Sequence, residues 1–215
     1  MKKSLSIFLL LLFHAANLHA QAIHITPDGA ALRKYYLRLD VEHLWLKGHH
    51  IDWKTGEPDD PYAGHNIKTH CSVFVAAACL RKRIYILCPP DHSQTLLANA
   101  QYDWLQTSDA LKYGWHPITG DQSADIYTQA QNYANKGYVV VAVYQNPNPH
   151  KTGHSALIMP EELSAQQLAQ NGPELIMAGH INSSHISLRQ GFEKHITQWP
   201  EHEIRFFYFD SGLYQ

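Results

Sequence analysis

Cys71 closes a loop of turn formers and histidines, Pro61-Tyr62-Ala63-Gly64-His65-Asn66-Ile67-Lys68-Thr69-His70, and opens an apolar run, Val73-Phe74-Val75-Ala76-Ala77-Ala78-Cys79-Leu80. A thiol at such a junction lies beside the unpaired amides and positive dipole end of a helix, both of which favour the thiolate. His154 follows much later, in Gly153-His154-Ser155-Ala156, where a second apolar segment begins. A thiol with an imidazole in reach suits nucleophilic acyl transfer: the thiolate adds to a carbonyl, the ring handles the proton, and the Cys71 amide N–H can serve the oxyanion. Neither residue is diagnostic alone, since a lone buried cysteine is usually structural and a histidine at a strand end is usually a polar edge residue.

Metal chemistry is the competing use of these side chains. His150 and His154 stand four apart, a spacing that on a helix would place both on one face. Pro149 and Gly153 argue against a helix there, so no metal site and no cofactor are expected. His49, His50, His65 and His70 can meet only through the fold, and most of the 16 histidines read as polar surface. Trp53, Tyr62, Tyr102, Trp104, Tyr113 and Trp115 can line a glycan cleft, although aromatics at helical spacing are more often core.

The elements that must position Cys71 and His154 follow from periodicity. Apolar spacing predicts an amphipathic helix over residues 30–47, ending before Gly48, and a turn cluster over 53–61. Thr69 is the expected cap of the Cys71 helix, which is apolar nearly all round and must be buried. Further helices are expected over 94–107 and 121–136, the latter closed by Gly137. Strands are expected over 138–144, 154–159, 174–178 and 203–209. Helices first and neighbouring strands afterwards make an α+β layout in which the Cys71 helix packs on an antiparallel sheet.

Residues 1–20 have the basic start, apolar centre and small-residue end of a secretory signal peptide, with cleavage after Ala20 or Ala22. A periplasmic or secreted protein is therefore expected, with residues 21–215 forming one domain. The apolar block from Ile7 to Phe13 is too short to span a bilayer, and no later stretch reaches that length. A formal charge of −2 and the absence of a Lys/Arg stripe beyond Arg81-Lys82-Arg83 argue against nucleic acid as a partner. Three cysteines leave one over: Cys79 and Cys88 can pair across a short connection, or Cys79 can be a plain buried residue.

The order of these segments resembles the NlpC/P60 and CHAP cysteine peptidases and amidases, which share a reduced papain-like fold. Cys71-Ser72-Val73-Phe74-Val75 matches the Cys-Ser-x-Phe-Val start of their catalytic helix, and Gly153-His154-Ser155-Ala156 matches the strand of their catalytic histidine. Pro61-Tyr62-Ala63-Gly64 is similar to the Tyr-x-x-Gly that helps form the oxyanion site, with a shorter spacing to the cysteine. The resemblance covers Tyr62 to about Arg189 and implies Cys71 as nucleophile, His154 as base and Tyr62 as a substrate-binding residue.

It breaks at the third position. Many relatives carry a polar residue, often His, on the next strand before Ala-Gly or Ala-Ser, and here that residue is Met177, whose thioether orients an imidazolium poorly. Asn182 is the chosen substitute, His180 the runner-up, and a Cys/His dyad the remaining option. Together with export, the resemblance implies an amide bond of peptidoglycan, in the stem peptide or between glycan and peptide, as the target. A lipid-directed acyltransferase or hydrolase on the same scaffold, or a degenerate wall-binding module, are the alternatives. Oligomeric state is left open.

Overall fold

Val140-Val141-Ala142-Val143-Tyr144 is apolar at every position, so a strand made from it must be covered on both faces. The computed structural model describes residues 24–59 and 70–212, and these form seven helices and six strands. The helices are α1 (Pro27–Leu37), α2 (Cys71–Arg81), α3 (Leu97–Leu105), α4 (Ser108–Lys112), α5 (Ser123–Asn135), α6 (Ala165–Asn171) and α7 (Leu188–Gly191). The strands are β1 (Trp115–Ile118), β2 (Val140–Tyr144), β3 (His154–Ile158), β4 (Glu174–Met177), β5 (Ser183–Ser187) and β6 (Ile204–Phe209). They build one antiparallel sheet in the order β1-β6-β2-β3-β4-β5. The expected α+β class with an antiparallel sheet is thus what the chain adopts.

Side chains alternate across a strand, and the two faces feed separate cores. Val141, Val143, Leu157, Met159 and Ile176 pack with α2 and with Leu32 and Tyr36 of α1. Val140, Ala142, Ala156, Ile158, Leu175 and Met177 pack with Tyr127 and Ala130 of α5 and Leu188 of α7. Every residue of α2 from Cys71 to Cys79 is buried, as its all-round apolar composition requires. Among the described residues, no helix is long and apolar enough to cross a membrane.

Some boundaries differ from the sequence expectation. The first helix stops at Leu37 instead of reaching residue 47, because Asp40 and Trp45 adopt left-handed backbone with φ of 54° and 53°. Leu39, Val41 and Trp45 are nonetheless buried, so apolar spacing that suggested a helical stripe belongs to a folded-back turn. Thr26 begins α1, its side chain accepting from Gly29 N at 3.2 Å, with Pro27 at the first helical position. β1 and β5 are additional strands at the two edges of the sheet, and α4, α6 and α7 are additional short helices. The signal-peptide segment, Tyr62 and Thr69 lie outside the described residues. His70 precedes α2 without a side-chain cap.

Candidate active site at the start of α2 and β3

Cys71 is the first residue of α2 and is 3% exposed. No acidic side chain occupies the first turn of α2. His70, just before it, has Nε2 3.0 Å from the carbonyl oxygen of His49. A carbonyl only accepts, so Nε2 carries the proton; burial holds the His70 ring below the usual imidazole range.

His154 is the first residue of β3, opposite Tyr144 of β2, and is 2% exposed. The hairpin that delivers it is tied to α3 through Asn99. Its Nδ2 donates to the Lys151 carbonyl at 2.9 Å, and its Oδ1 accepts from Asn146 N at 3.1 Å. Gly153 allows this closeness: a Cβ there would lie 2.1 Å from the Tyr144 carbonyl oxygen and 2.6 Å from Asn99 Oδ1. The loop over 145–153 also leaves His150 exposed and off any helix, so the His150/His154 spacing has no helical meaning.

Gln101 connects the two segments. Fully buried, it donates from Nε2 to the carbonyls of Ser72 at 3.2 Å and Leu87 at 3.0 Å, while Oε1 accepts from Ser155 Oγ at 3.3 Å. The residues that follow Cys71 and His154 therefore share one carboxamide. The sequence reading missed it, although Leu97, Gln101 and Leu105 at four-residue spacing mark a polar group on a buried stripe.

Ser155 points toward α3 and the α2 side, so alternation turns the His154 ring to the other face. There it stands at 4.6 Å and 66° from the Phe192 ring and lies flat on His195, with centroids 5.0 Å apart and planes at 11°. Gly179 fits beneath it: a Cβ at 179 would lie 3.1 Å from His154 Cε1 and 2.8 Å from Met177 Cε. His154 Nε2 is buried without a hydrogen-bond partner. Burial first, then the neighbouring His195 and His180, holds this ring well below the usual imidazole range. Burial likewise pushes His195 down to about 4 and lowers His180, with Lys194 contributing to both.

The expected third residues fare differently. Asn182 does not hydrogen-bond His154, because its amide is committed elsewhere. Nδ2 donates to the carbonyls of Val41 (2.8 Å), Leu44 (2.9 Å) and Trp45 (3.3 Å), and Oδ1 accepts from Gly179 N at 3.0 Å. It therefore supports the turn under α1 and reaches His154 only through the Gly179 backbone. His180 Nε2 stands 3.8 Å from Glu193 Oε1 and has no hydrogen-bond partner. His195, from the segment after α7, is the imidazole that touches His154; isolated in Glu193-Lys194-His195, it carries no periodic signal in the sequence.

Cys79 and Cys88 are thiols and form no disulfide, and burial pushes both upward. Among the described residues, no three His, Cys, Asp or Glu side chains converge to hold a metal. Of the candidate glycan-lining aromatics, Trp115 is core, 1% exposed, with its indole N–H on the Tyr85 carbonyl at 2.7 Å. Tyr113 is half exposed and stacks on Tyr85 at 4.6 Å. No protein-family model matches this chain, and no curated protein matches it either.

Proposed function

We propose that this protein is an exported cysteine hydrolase of the NlpC/P60 and CHAP kind, with a papain-like catalytic domain, that cleaves an amide bond of peptidoglycan. One observation carries the reading: His154, a buried imidazole with an unpartnered Nε2, begins the strand whose next residue shares Gln101 with the residue after Cys71. A buried polar atom left without a partner costs stability, and such a cost is tolerated most readily where the atom has work to do. The peptidoglycan target and export rest on the resemblance and the leader-like first twenty residues.

In this mechanism the Cys71 sulfur adds to the substrate carbonyl as its proton passes to the neutral His154 ring, which has to reach the start of α2 from the α7 side of the sheet. Amide N–H groups of the first turn of α2 face the developing oxyanion. The tetrahedral adduct collapses as His154 returns its proton to the leaving amine, giving an acyl-thioester and a free amine. Water, deprotonated by His154, then releases the acid and restores the thiol. Holding His154 neutral suits the base form that starts the cycle.

A second reading has one observation in its favour: the His154 ring addresses the α7 side of the sheet, as a non-catalytic wall-binding module could equally allow. Alkylation separates the two. Cys88, with its pKa raised by burial, is the internal reference for an unactivated thiol. An active Cys71 labels with iodoacetamide at pH 6 faster than Cys88, and with an apparent pKa below the free-thiol value of about 8.5. Labelling of Cys71 that rises only above that value contradicts the hydrolase.

A further inference from the structure

A histidine whose ring makes no hydrogen bond through Nε2 has little to stop it turning about its broad, two-fold ring torsion, which exchanges the positions of Nδ1 and Nε2. His154 is held by packing instead. Phe192 meets it at a steep angle, Gly179 closes one edge, and His195 covers one flat face. His195 is itself fixed from two sides: its backbone N–H donates to the Phe192 carbonyl at 2.8 Å, and Tyr144 lies 5.3 Å from its ring. Tyr144 is also the cross-strand partner of His154, so the same pair of residues frames both imidazoles.

We propose that His195 is the positioning residue of the site: lying flat on His154, it fixes the ring plane in place of the polar strand residue whose position Met177 occupies. Its catalytic consequence rests on the hydrolase reading, whereas the ring placement itself does not. Met177 packs on the same side, its Cε beside Gly179, and offers no donor and only a weak acceptor. A stack supplies orientation without a hydrogen bond.

The stack also sets a rule for protons. Two imidazolium rings face to face repel strongly, so His154 can receive the Cys71 proton only while His195 is neutral. The charged and titratable groups around the pair all bear on this. His180 approaches from the loop after β4, Glu193 and Lys194 from the segment carrying His195, Tyr144 from β2 and Lys47 from the turn region near His180. Burial favours the neutral form of both rings at neutral pH, which leaves His154 free to accept.

Two variants of the full chain test the proposal, read by muropeptide kinetics and by NMR of the His154 ring. His195→Ala lowers kcat by about tenfold or more with KM within about twofold, as expected for a misplaced base. It also removes the ring-current shift that a flat neighbour imposes on the His154 Hε1 proton. His195→Phe, which keeps a flat ring but no nitrogens, recovers that shift and brings kcat back to within about threefold of wild type. Thermal unfolding of each variant separates loss of fold from loss of position. The proposal is overturned if His195→Ala leaves the shift intact. It is equally overturned if His195→Phe restores the shift but not kcat, since His195 would then act through its nitrogens. If wild type itself cleaves no muropeptide, the hydrolase reading fails, and the NMR shift alone decides the positioning role.

Discussion

The carbonyl of Ser72 and the hydroxyl of Ser155 hydrogen-bond the same buried side chain, the carboxamide of Gln101. Because these two serines directly follow Cys71 and His154, Gln101 sets the distance between the first turn of α2 and the start of β3. Gln101→Leu leaves the Ser72 and Leu87 carbonyls and the Ser155 hydroxyl without this partner. Each buried group left unpaired costs about 1–3 kcal/mol. Urea unfolding is expected to show a loss of at least that size. Gln101→Glu keeps an acceptor for Ser155 but cannot, when ionised, donate to the two carbonyls, so it is no better tolerated than Leu.

Asn182 is expected to be a stability residue. Its amide hydrogens go to the carbonyls of Val41, Leu44 and Trp45, and a carboxylate there would face those oxygens as a like partner. Asn182→Asp is therefore expected to destabilise more than Asn182→Ala, each by more than about 1 kcal/mol. An orienting role at His154 would instead leave stability unchanged and lower kcat. Thermal denaturation beside steady-state kinetics distinguishes these outcomes.

Stability should fall on mild acidification. His154, His180 and His195 all have imidazoles held below their unfolded value, so the unfolded chain binds more protons as pH drops. For a group with a depressed folded pKa that starts from about 6.5 unfolded, the loss begins near pH 6.5 and continues until the folded value is reached. His154 alone contributes a loss on the order of 1 kcal/mol between pH 7.5 and pH 5.5. Glu174 and Glu201, raised by burial, act with the opposite sign. The difference between wild type and His154→Gln cancels their part: any excess stability of wild type shrinks by that amount across the window. A difference that stays constant with pH contradicts the buried neutral ring.

How much could be read beforehand depended on how each segment meets its neighbours. α2 and β2 were legible because burial on all sides demands unbroken apolar sequence, and both have it. β1 and β5 were not, because they are the sheet's edges. β1 carries Pro117, which a strand tolerates at an edge, and β5 reads Ser183-Ser184-His185-Ile186-Ser187 with no buried position. α6 did leave a readable sign, the capping box of Ser164 and Gln167. For the site, Cys71 and His154 were marked by the segments they begin. His195 was not, because its contact with His154 is made by chain that returns from the far side of α7, and no local pattern records such a return.

Digestion of purified sacculi by wild type and by Cys71→Ala, followed by mass analysis of the released muropeptides, tests the central claim most directly. Wild type is expected to release fragments by hydrolysis of one amide bond, with a new amine on one side of each cut and a new acid on the other. Cys71→Ala, folded as judged by thermal unfolding, is expected to release none above the untreated control. Identical products from the two proteins would contradict the assignment of Cys71 as nucleophile.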